Sequence, residues 1–131
     1  MSSFHLQIVT PDGEFFDGPA ERVKVRTING DVAILAGHIP YVTALGTGEA
    51  SVTVDGEVRK AAASGGMLSV TPEVVRVVAT TFEWAEDIDL DRAKRAKEKA
   101  EERIKKARDA KELELAKVKL SRALVRINVG K

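Results

Sequence analysis

Cysteine is absent from the 131 residues, which excludes disulfides and thiolate metal sites and is compatible with a reducing compartment. Histidine occurs only as His5 and His38, too few for an imidazole-based metal site without cysteine to help. Six residues are aromatic, and none lies beyond Trp84. Glycine and proline are missing from Ile88 through Val129. No apolar run approaches the roughly 20 residues of a membrane span. The start, MSSFHLQIV, has neither the basic residues nor the apolar stretch of a signal peptide. A soluble, unexported chain is therefore expected. Catalytic patterns are wanting too. Ser64-Gly65-Gly66 lacks the leading glycine of a nucleophile elbow and has no nameable triad. No glycine-rich loop runs into Lys-Ser/Thr, which excludes a P-loop. His5 alternates with apolar neighbours, and His38 sits in the turn-like AGHIP; structural roles suffice for both.

What is present divides near residue 87. Residues 1–87 carry 6 Lys/Arg against 12 Asp/Glu, whereas residues 88–131 carry 15 against 8. A net charge of +1 thus hides an acidic module followed by a basic one. Apolar residues make up 44% of the chain, enough to build a core.

The first module reads as strands. FHLQIV ends at Pro11-Asp12-Gly13, RVKVRT near Asn29-Gly30-Asp31, and VAILA at Gly37. EASVTV runs through Asp55-Gly56 into EVRKAA. MLSVT follows Gly65-Gly66 and stops at Pro72-Glu73, and VVRVVA comes next. Alternation sets Val23 and Val25 on one face and Arg22, Lys24 and Arg26 on the other. Asp-Gly between two such runs signals a tight hairpin, because both central residues need positive φ. Many short, evenly spaced strands predict an antiparallel β-sandwich or barrel over residues 1–87.

The second module, residues 88–131, reads as a two-helix antiparallel hairpin. Lys, Arg, Glu, Ala and Leu dominate it, and all are strong helix formers. Ala93, Ala96, Ala100, Ile104 and Ala107 draw one stripe; Leu113, Ala116, Leu120, Ala123 and Ile127 draw another. Small residues along the seam allow close helix approach. Asp109 is the expected cap of the second helix, with Glu112 three residues on. Asp87, Asp89 and Asp91 suit the positive N-terminal end of the first. Glu98 to Glu102 lie within i,i+4 reach of Lys94, Arg95, Arg103 and Lys105. An alanine seam buries little apolar area, at ~25 cal/mol per Å². The hairpin should be weakly held, and straightened from Asp89 to Ile127 it would make a rod of about 58 Å. Its positive charges are interleaved with acids and it has no aromatic residue for stacking, so an acidic protein surface suits it better than nucleic acid.

VTPDG, NGDVAILAGHIPYVTAL, SGGMLSVTPEVVRVVA and AEDIDLDRA carry a family resemblance. Over nearly its whole length the chain resembles the ε subunit of the bacterial proton-translocating ATP synthase, a non-catalytic rotor subunit. The resemblance implies a sandwich that grips γ and rests on the c-subunit ring. Asn29, Gly30, Asp31 and His38 are then expected near those partners. It implies a helical module that, extended beside γ, meets acidic segments of the α/β catalytic head through residues such as Lys105, Lys106 and Arg108 and inhibits ATP hydrolysis. Location on the cytoplasmic face of the bacterial membrane follows, without insertion into it. In bacillus-like members IDxxRA resembles an ATP-binding motif, matched here by Ile88, Asp89, Arg92 and Ala93. Glu83 stands where such members place a contributing acid, and Arg122 and Arg126 match phosphate-contacting arginines. Lys99 replaces an arginine, a point charge for a planar fork. Trp84 stands where a smaller or charged residue is expected. ATP is the implied regulatory ligand, with no metal. The alternative is a free-standing nucleotide-sensing protein.

Overall fold

The structure, a computed structural model, describes residues 2–131. Eight strands come first: β1 (Phe4–Thr10), β2 (Gly13–Ala20), β3 (Arg22–Thr27), β4 (Gly30–Leu35), β5 (Tyr41–Ala44), β6 (Thr47–Val54), β7 (Glu57–Val70) and β8 (Val75–Trp84). A 3₁₀ turn (Ala85–Asp87) leads to α1 (Leu90–Lys106) and α2 (Ala110–Gly130). The strands form one sheet, ordered β2-β1-β8-β7-β6-β3-β4 with β5 paired to β7, that folds over into a sandwich. Its core includes Leu6, Ile8, Val23, Val25, Val52, Leu68, Val70, Val75 and Val77, all at most 1% exposed. Each such side chain contributes ~1.5–3 kcal/mol by leaving water.

One ladder departs from the antiparallel expectation: β1 and β8 run parallel, Leu6 opposite Val75. Parallel neighbours need a long crossover, and here the other six strands provide it. The Gly65-Gly66 boundary is also corrected, because β7 runs straight through it. β7 pairs β6 over Glu57–Ser64 and β5 over Met67–Val70, so it serves both layers. Gly66 has φ +103°, and a Cβ there would lie 1.7 Å from the Val78 carbonyl oxygen. The glycines bend the strand instead of ending it. The Asp55-Gly56 hairpin is as expected, with φ of 52° and 80°.

Two strands lie outside the sequence expectation. β2 contains Gly18-Pro19, which argues against a strand, but it is an edge strand where a missing N–H is tolerated. β5 has only four residues. β4, with its continuous apolar run, forms the other edge, and Leu35 is exposed.

α1 starts where Asp89 accepts the Arg92 N–H at 3.1 Å. Asp109 caps α2 by accepting the Glu112 N–H at 2.8 Å, and the Glu112 carboxylate reaches back to the Arg108 N–H at 3.0 Å. That is a capping box displaced by one residue. The seam between the helices holds Ala93, Ala100, Ala116 and Ala123, each buried. Leu113, Leu120 and Ile127 are half-buried beside it. Ala96 is the exception, exposed on the face of α1 that looks back toward the sheet. Among the described residues, the i,i+4 pairing on α1 is Glu102–Lys106 at 3.5 Å, one step beyond the pairs expected for Glu98 to Glu102. α2 packs on β6, β7 and the 3₁₀ turn. Among the described residues, no helix is long and apolar enough to cross a membrane.

Candidate functional site

The end of β8, the 3₁₀ turn and the start of α1 enclose a cleft of about 550 Å³. Strand alternation at the end of β8 places Phe82 in the core and turns Glu83 toward α2. Ile88 and Asp89 are extended, with φ of −75° and −82°, so the chain lines the cleft before it coils. Arg92 and Ala93, in the first turn of α1, continue the wall, and Arg126 closes it from α2. Six of the eight residues expected to bind nucleotide therefore share one cavity: Glu83, Ile88, Asp89, Arg92, Ala93 and Arg126.

The other two, Lys99 and Arg122, line a second cavity of about 250 Å³ between the helices. Ala96 and Arg126 border both, so the two form one groove. Charge is graded along it. Asp12, Glu14, Glu83, Asp87 and Asp89 line the first part beside Arg92 and Arg126. The second part carries Lys99, Arg103, Lys119, Arg122 and Arg126 and no acid. Such a groove accepts a ligand with a planar or apolar end and a polyanionic tail. Arg103 and Lys119 are not among the residues expected to bind nucleotide; their spacing from Lys99 and Arg122, at i,i+4 and i,i+3, was the available signal.

The arginines are held in place. Arg126 Nε donates to Glu83 Oε1 at 3.1 Å, with both side chains about one-third exposed. Arg122 Nε donates to the Ser64 hydroxyl at 2.9 Å, and Ser64 is buried. Ser64 thus anchors an arginine, which is a structural use of the residue considered earlier as a nucleophile.

The chain belongs to the ATP synthase delta/epsilon family. The model of that family's beta-sandwich domain matches residues 3–85, and the model of its long alpha-helix domain matches residues 86–131. The ATP synthase epsilon chain of Bacillus velezensis is 43% identical over 130 residues, covering 99% of this chain and 98% of the relative. That of Ruminococcus albus is 39% identical over 131 residues, covering 99% and 98%. A chain from the Euglena gracilis mitochondrial ATP synthase superposes with a TM-score of 0.80 at 23% identity, over 92% of this chain and 77% of that one. At that identity the likeness concerns the fold.

The delta/epsilon sandwich also carries the residues expected to meet partners. The buried Thr27 hydroxyl donates to the Gly30 carbonyl at 2.7 Å and accepts the Asn29 N–H at 3.1 Å, which sets the β3–β4 turn. Asp31 accepts from Arg26 Nε at 2.6 Å and Nη2 at 3.4 Å, with Lys24 Nζ at 3.8 Å. The guanidinium hydrogen-bonded to it holds the Asp31 carboxyl below the usual aspartate value. His38 stacks edge-on against Phe4 at 5.8 Å and lines a cavity of about 470 Å³ with His5. Lys105, Lys106 and Arg108 lie exposed at the far tip of the hairpin, about 25 Å along α1 from its start at 1.5 Å per residue. Among the described residues, no three His, Asp or Glu side chains cluster as metal ligands do.

Proposed function

We propose that the chain is the regulatory and structural subunit of the central stalk of a bacterial ATP synthase, and that ATP holds its helical hairpin folded. The epsilon chains of Bacillus velezensis and Ruminococcus albus, matched end to end, support the subunit assignment. The sandwich docks on γ and the c-ring. Ile28, Val42 and Met67 give it an exposed apolar surface around the β3–β4 turn and β5. The helical module, when it opens, meets the α/β head with its basic face and inhibits hydrolysis. The chain itself performs no catalysis and sits at the cytoplasmic face of the membrane as a peripheral component.

The single observation behind the ligand assignment is the graded groove that joins Glu83, Ile88, Asp89, Arg92, Ala93 and Arg126 to Lys99 and Arg122. Ile88 and Ala93 flank the base. Arg92, Lys99, Arg122 and Arg126 hold the phosphates. A ligand touching both helices and the sheet is bound only while the hairpin is folded, so it shifts the equilibrium by its differential affinity. Calorimetric titration of ATP into the full chain tests this. Saturable binding that weakens in the Arg126→Ala variant supports it; no binding at millimolar ATP removes the nucleotide from the proposal.

A further inference from the structure

Trp84 is the one tryptophan of the chain, and it closes the end of the sandwich core next to the helical module. It is 7% exposed and packs edge-on against Phe82 at 5.4 Å, with Phe15 at 5.5 Å. Over its ring lies the Arg59 guanidinium, 3.9 Å from the ring centroid. The same guanidinium bonds Glu86: Nε donates to Oε1 at 3.1 Å, and Nη2 donates to the same oxygen.

The register explains the geometry. Ala61 of β7 lies opposite Trp84 of β8. Arg59, two residues earlier on β7, therefore faces the place of Glu86, two residues later. β8 has ended by then, and Glu86 belongs to the 3₁₀ turn. The pair carries the cross-strand alignment past the end of the ladder, side chain to side chain. Directly after the turn come Ile88 and Asp89, both extended, and then the helix. Gly130 at the end of α2 closes over this point; a Cβ on it would lie 3.0 Å from Ile88 and 3.1 Å from Leu90.

We infer that Arg59 is a positioning residue for the groove: stacked on Trp84 and bonded to Glu86, it pins the 3₁₀ turn to the sheet, so the hairpin pivots at Ile88–Asp89 and not within residues 85–87. The inference rests on the mobile hairpin proposed above and adds where it bends and what restrains it. An exposed ion pair alone contributes little. Here the indole face pre-orients the guanidinium and adds a cation–π contact, so the pair ties the turn to β7 by side chains as well as to β8 by the chain itself. Pinning also fixes Asp87 and Ile88 in the wall of the groove.

The test is amide hydrogen exchange on the full chain without nucleotide, comparing wild type with Arg59→Met, Glu86→Gln, the double variant and Arg59→Lys. Each single variant should speed exchange at residues 92–97 about three- to tenfold. The double should be no faster than the faster single, because both remove one restraint. Arg59→Lys, which keeps a cation over the ring, should fall between. Val75 and Val77, in the sandwich core, should exchange as in wild type. Unchanged exchange in α1, additive effects, or equal loosening of Val75 and Val77 would each overturn the inference. The measurement needs no ATP, so absence of nucleotide binding would remove the ligand assignment and leave this result standing.

Discussion

Mutation separates the structural role of single side chains at the junction from the ligand role proposed for them. Asp89 caps α1, so Asp89→Ala should cost the hairpin about 0.5–2 kcal/mol, read as a lower helical melting temperature with the sandwich unchanged. Arg126 bonds only Glu83 among the described residues. Arg126→Ala should cost little stability but ~1.5–3 kcal/mol of ATP binding, about ten- to hundred-fold in Kd by calorimetry. Glu86 adds a pH signature. Arg59 holds its folded pKa below the ordinary value of 4.5, so its contribution is present above that pH and fades as the pH falls through the lower folded value. Thermal melts between pH 7 and 3 should show wild type losing more of its stability below 4.5 than Glu86→Gln does. Equal losses would mean the pair contributes nothing measurable.

At the scale of elements, the two modules differ in how they are held. The sandwich is knit by continuous ladders and large buried side chains. The helices meet through alanines, which bring the axes close but bury little. Overpacking that seam should therefore act on the hairpin alone. Ala100→Leu or Ala123→Leu, at positions 2% and 1% exposed, should destabilise the folded hairpin by about 1–3 kcal/mol. Exchange in α1 and α2 should rise while the sandwich melts as before. Gly66→Ala is the converse probe. With a Cβ 1.7 Å from the Val78 oxygen, β7 cannot keep its bend, and the sandwich transition should fall sharply or vanish.

For the whole molecule, the proposed reading of a gripping module and a mobile arm is tested by removing one of them. A chain ending at Asp87 should fold cooperatively, bind γ and raise ATP hydrolysis by the assembled enzyme. The sandwich core contains no residue beyond Trp84. Replacing Lys105, Lys106, Arg108 and Lys117 with alanine should raise hydrolysis partially and flatten its salt dependence, because exposed charges chiefly tune encounter. Unchanged hydrolysis in both variants would rule out an inhibitory arm.

Much of this was determined by the sequence alone. Alternation, turn residues and the loss of glycine, proline and aromatics after residue 87 dictated strands followed by helices. Asp109 and Glu112 marked the second helix start, and the alanine spacing marked the seam. These signals are local, since period and capping act within a few residues. The tertiary structure decided what depends on distant partners. Edge position made a strand of Gly18-Pro19, and the close approach of Val78 turned Gly65-Gly66 from a boundary into a bend. The parallel pairing of β1 with β8 had no local mark. The exposure of Ala96 and the adjacency of the two cavities arose from how α1 packs on α2 and faces the sheet across the cleft. Trp84 likewise gained its role only when the register of β7 set Arg59 over its ring, because pairing between residues far apart in the chain is fixed by packing and not by any period within it.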